Sequence, residues 1–96
     1  MTITWAPAAL DDLLNVYTHI AADSPDQARS VVQRIRKAAE GLAGFPYLGR
    51  VGDVPGTRER VMSRLPYIIV YTVSDELIGI VRVIHQRPQW PPQEAN

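Results

Sequence analysis

The chain has 96 residues, 46% of them apolar, with ten basic and ten acidic side chains, a formal net charge of zero and no cysteine. That length holds one small domain, and a chain of this size buries only about 60–65% of its unfolded surface. The absence of cysteine excludes disulfides, thiol nucleophiles, iron–sulfur clusters and Cys-type zinc sites, and two histidines make a poor zinc set. No run approaches the ~18 consecutive apolar residues of a membrane span. The opening Met1–Trp5 lacks a basic stretch followed by an apolar one, so no signal peptide is expected. A cytoplasmic protein that needs no metal and no cofactor is the expectation. Zero charge argues against bulk electrostatic binding to nucleic acid but leaves room for a local basic patch.

Thr2 and Thr4 alternate with Ile3 and Trp5, which predicts a short strand. Pro7 suits a first helical turn, and Asp11 and Asp12 lie early enough to favour the helix dipole. Leu10, Leu13, Leu14, Tyr17, Ile20 and Ala21 then recur at helical spacing, to an end near Ala22. Ser24-Pro25-Asp26-Gln27 starts a second helix: Ser24 caps, Pro25 takes the first position and Gln27 completes a capping box. Its apolar stripe is Ala28, Val31, Val32, Ile35, Ala38, Ala39, Leu42 and Ala43, with Gly44 as C-terminal cap and Phe45-Pro46 as the stop. Tyr47 to Gly56 reads as a loop. Thr57 to Leu65 and Tyr67 to Val73 read as strands parted by Pro66, and Ser74-Asp75-Glu76 turns into a last strand from Leu77 to Ile84. The order β-α-α-β-β-β predicts an α+β, two-layer domain in which a helical hairpin packs on a small antiparallel sheet. One domain spans residues 1–90, and residues 91–96 form a flexible C-terminal tail.

Nine of the ten cations are arginine, the residue suited to bidentate contact with carboxylate or phosphate. Arg58, Arg60 and Arg64 share one parity in the predicted strand from Thr57 to Leu65 and so one face. Three guanidinium groups exclude that face from the core, so it meets solvent or a partner. Arg50 precedes it, Arg82 lies in the last strand, and Arg87 lies just beyond. His85, where the last strand runs out, is either a general acid or base or a structural strand-end histidine. Trp90 either stacks a base or folds back over the sheet edge. No serine has a nucleophile-elbow context, and Gly49-Arg50-Val51-Gly52 is not a phosphate loop.

The chain as a whole resembles the RelE/ParE superfamily of toxins from bacterial type II toxin–antitoxin modules. The matching residues are Trp5, Ala9-Leu10-Asp11-Asp12-Leu13, Tyr17, Ile20-Ala21, Ser24-Pro25, Ala28, Arg34-Ile35, Phe45-Pro46 and Gly49-Arg50. They continue through Val54-Pro55-Gly56-Thr57-Arg58-Glu59, Pro66-Tyr67-Ile68-Ile69-Val70-Tyr71, Arg82-Val83-Ile84-His85 and Trp90-Pro91. The resemblance implies the fold already reached from periodicity, and a growth-inhibiting toxin held by a cognate antitoxin, with a toxin–antitoxin heterotetramer as one assembly. It also implies one of two targets. RelE-like members cleave messenger RNA on the ribosome, without a metal, and would here use Arg58, Arg82 and His85 as catalytic residues. ParE-like members poison DNA gyrase, and Arg50, Arg58, Arg60, Arg64, Arg82, His85, Arg87 and Trp90 would then serve target or antitoxin binding. RelE-like nucleases usually carry an arginine at the place of Ile68 and are strongly basic. An isoleucine cannot stabilise a phosphorane as a guanidinium does. Both features lean towards the ParE-like branch, with the nuclease as the alternative and a degenerate, autoregulatory member as a third reading.

Overall fold

The computed structural model describes residues 1–86. Its elements are β1 (Thr2–Trp5), α1 (Pro7–Ala21), α2 (Pro25–Gly41), β2 (Arg50–Val51), β3 (Arg58–Val61), β4 (Tyr67–Ser74) and β5 (Leu77–His85). Arg87, Trp90 and the expected tail at 91–96 lie outside the described residues.

Both helices open on the expected prolines. Ser24 caps α2, its Oγ accepting the Gln27 N–H at 3.2 Å. α1 has no side-chain cap; instead the Ala6 carbonyl accepts the N–H groups of Ala9 and Leu10 while the Ala6 N–H donates to Ile80 of β5. The first turn of α1 holds no acid. Asp11 and Asp12 come one turn too late for the dipole role expected of them, and Asp12 does something else. Gly44 is not the cap of α2 either. The helix tightens through Leu42, Ala43 and Gly44, each donating to the carbonyl three residues back, and needs no left-handed glycine.

The sheet order is β1-β5-β4-β3-β2. β4 and β5 form the expected antiparallel hairpin, turning at Asp75, whose φ is 33°. β1 corrects the all-antiparallel expectation: it runs parallel to β5, from Thr2 opposite Leu77 to Trp5 opposite Ile80. β3 occupies the other side of β4, so the free edge of β5 receives the N-terminal strand, and the helical hairpin carries the chain away from it. β3 is also shorter than expected. It stops at Val61 because residues 63–66 supply the turn into β4, closed by a hydrogen bond from Met62 N–H to the Tyr67 carbonyl. β2 adds a two-residue ladder inside the expected loop.

Ala9, Leu13 and Val16 of α1 and Val31, Ile35 and Ala39 of α2 pack with Leu42 on Tyr67, Ile69, Tyr71, Ile78, Ile80 and Val83. Leu10 and Leu14, read into the α1 stripe, are exposed. Odd-numbered residues of β4 therefore face the helices, and Ile68 and Val70 face the opposite side of the sheet, where Ile68 is buried and Val70 half-buried.

Candidate functional site

The register places the arginines. Arg58 lies opposite Tyr71 and Arg60 opposite Ile69, both core residues. The side expected to be barred from the core is thus the helix side of the sheet. Guanidinium groups are tolerated there because α1 packs on β5, two strands away. Arg64 does not join them: it sits in the β3–β4 turn with φ 70° and is exposed.

The others are engaged internally. Arg58 Nε donates to the Gly49 carbonyl at 2.9 Å and Nη2 to the Tyr47 carbonyl at 3.4 Å, with the guanidinium 5.2 Å from the centre of the Tyr47 ring. Arg60 Nη1 donates to the Val61 carbonyl at 2.7 Å, and its buried Nε has no hydrogen-bond partner among the described residues. Arg50 forks onto Glu59 Oε1 at 3.0 and 2.9 Å, and Glu59 Oε2 accepts the Asp53 N–H. Arg82 forks onto Asp12 at 2.6 and 3.0 Å.

Asp12 is the residue missed by sequence reasoning. Besides Arg82 it accepts the Val83 N–H at 2.9 Å, on the β5 edge just past the end of β1. Burial raises the Asp12 carboxyl, but the hydrogen bonds from Arg82 and Val83 and the Arg82 charge outweigh it and hold the group below the usual carboxylate range. Seventy residues separate Asp12 from Arg82, so no local pattern announces the pair.

Tyr71 and Gly49, neither of them a candidate site residue, hold the 45–54 loop. The buried Tyr71 hydroxyl donates to the Pro46 carbonyl at 2.8 Å and accepts the Gly49 N–H at 2.9 Å. A Cβ on Gly49 would lie 2.7 Å from both the Glu59 carbonyl oxygen and the Tyr71 hydroxyl, so only glycine fits.

His85 is exposed and meets Tyr67 edge-on, with ring centres 5.4 Å apart. Burial pushes the Tyr67 phenol up. His85 lines a cavity of about 430 Å³ with Arg50, Asp53, Glu59, Ile68, Ile84 and Gln86. Ile68, buried, and Ile84, exposed, lie opposite each other on the side of the sheet away from the helices. Of Arg58, Arg82 and His85, the cavity gathers only His85. Among its lining residues two carboxylates stand against one guanidinium, and that guanidinium is bound to Glu59. A larger open groove of about 890 Å³ runs past Tyr17 and the outer side chains of α2, and no candidate residue lines it. Among the described residues no group of three His, Asp or Glu side chains could hold a metal ion, and no helix is long and apolar enough to cross a membrane.

Residues 3–90 match the family described as ParE toxin of type II toxin-antitoxin system, parDE. Y4kP of Sinorhizobium fredii, whose name marks it as a presumed toxin, is 42% identical over 89 residues, 93% of this chain and 92% of that protein. Toxin RelE2 of Caulobacter vibrioides is 35% identical over 83 residues, 86% of this chain and 92% of its own. Among solved structures, a chain of the chromosomal ParDE system from P. aeruginosa superposes with a TM-score of 0.83 at 28% identity, covering 91% of this chain and 97% of that one.

Proposed function

The chain belongs to the ParE family of toxins of type II toxin–antitoxin systems, and on that premise we propose that it arrests growth by binding and poisoning DNA gyrase. The observation that carries this reading is the character of the His85 cavity. Cleaving RNA through its 2′-hydroxyl develops negative charge on phosphorus, and a nuclease meets it with a free cation. Here Ile68 and Ile84 present hydrocarbon, Arg50 is neutralised by Glu59, and Asp53 adds a second carboxylate. Arg58 and Arg82 serve loop carbonyls and Asp12 instead. A neutral chain that binds Arg50 and Arg82 to its own carboxylates suits a protein partner better than a polyphosphate. The likeness to the ParDE structure supports the same branch.

The nuclease is the second reading, favoured by two observations: the exposed His85 in a cavity, and the likeness to Toxin RelE2. One experiment separates them. Purified toxin is expected to block gyrase supercoiling at stoichiometric amounts, and to leave ribosome-bound message uncut. Intact supercoiling in excess toxin, with codon-position cleavage of ribosome-bound message that His85→Ala abolishes, would establish the nuclease instead. In either case a cognate antitoxin in the same cytoplasm is the holding partner, laying a helix or an extended segment on the toxin.

A further inference from the structure

The 45–54 loop is built inside out. Phe45, Tyr47, Leu48, Val51 and Val54 are all more than half exposed, at 71, 68, 58, 75 and 62%. The same segment turns its polar groups inward: Tyr71 holds Pro46 and Gly49, Arg58 holds Tyr47 and Gly49, and Glu59 holds Arg50 and Asp53. An exposed loop ordinarily does the reverse, and a cluster of exposed large apolar side chains marks an interaction surface.

Part of the patch is demonstrably contiguous. Tyr47 lies against the Arg58 guanidinium, and Val51 lies directly opposite Arg58 in the β2–β3 ladder. Arg58 makes hydrogen bonds only to carbonyl oxygens, so no carboxylate cancels its charge within this cluster. Tyrosine and arginine are the side chains that anchor protein interfaces. The loop is also fixed before any partner arrives. Such rigidity gains most against a folded surface of complementary shape, because neither side then loses freedom on docking. A segment that folds as it binds has no need of it.

We propose that this loop is the surface by which the toxin docks on its protein target, with Tyr47, Val51 and Arg58 filling an apolar depression flanked by a carboxylate on a folded partner. The inference rests on the reading that the toxin acts by binding a protein. The test uses the full chain, Tyr47→Ser/Val51→Ser, with DNA gyrase as the probe. Three quantities are read: the toxin concentration that half-blocks supercoiling, the antitoxin Kd, and the melting temperature. At an unchanged melting temperature the half-blocking concentration should rise roughly 30-fold, the scale of losing interface anchors. Simultaneous weakening of antitoxin binding also supports docking here, with the antitoxin covering the same surface. Undiminished blocking by the variant overturns the inference alone, and weakened antitoxin binding with undiminished blocking reassigns the loop to the antitoxin. Wild-type toxin that leaves supercoiling intact overturns the gyrase reading and this inference with it. Should the double variant unfold, Val51→Ser alone, on the two-residue edge strand, is expected to raise the concentration roughly tenfold, and no rise contradicts the inference.

Discussion

Gly49→Ala is expected to destabilise the protein by about 3 kcal/mol, the upper range for forcing an extra carbon into a packed site. The new Cβ would stand 2.7 Å from the Glu59 carbonyl oxygen, 2.7 Å from the Tyr71 hydroxyl and 2.8 Å from Tyr71 Cε1. None of these can yield cheaply. The Glu59 backbone is fixed in the sheet between β2 and β4, and Tyr71 is fully buried. The loop must therefore move off Tyr71, leaving the Pro46 carbonyl and the Gly49 N–H without their partner. For a domain of this length the melting temperature should fall by about 12–24 °C. Thermal unfolding of the variant checks this, and a melting curve that overlays wild type would mean that the loop is not anchored as described. The variant also couples stability to function, since the apolar side chains of the loop lose their fixed arrangement.

Asp12→Ala is expected to cost about 2 kcal/mol at neutral pH, from two contributions of unequal kind. The bond to the half-exposed Arg82 is screened by water and contributes modestly, about 0.5–1 kcal/mol. The larger part is the part-buried Val83 N–H, which loses its acceptor on a strand edge, at about 1–3 kcal/mol. The pH dependence has a definite sign. The folded Asp12 carboxyl titrates below its ordinary value, so its contribution is fully present above the unfolded pKa of about 3.9 and is lost as pH falls through the folded one. The gap in urea midpoint between wild type and variant should therefore be widest near pH 7 and narrow as pH falls below ~4. A gap that persists unchanged in acid would show that Asp12 contributes packing and not its charge.

Local signals carried the helices and the central hairpin. Ser24-Pro25 marks the start of α2, because a cap and a rigid first residue act within four positions of each other. The run from Tyr67 to Val73 and the turn at Asp75 specify β4 and β5 by the same kind of short-range chemistry. What the sequence did not show depends on distant partners. β1 runs parallel because β3 already holds the far side of β4, a fact of topology. Arg58, Arg60 and Arg64 share parity in the sequence, but Pro66 and the turn before β4 remove Arg64 from the strand. Facing the helix side left the remaining two only half-buried, because α1 packs on β5, two strands away. The same holds for the site. Arginine enrichment was visible, but occupancy was not: Asp12 and Tyr71 engage residues 70 and 22 to 25 positions away. Of the catalytic candidates Arg58, Arg82 and His85, only His85 lines a cavity and is exposed there.

The reading of this toxin as a gyrase poison is tested most directly by a brief pulse of expression in growing cells, with DNA and protein synthesis followed separately. The account predicts that replication stops first and that the DNA-damage response is induced while translation continues. An immediate block of protein synthesis with replication initially intact would contradict it.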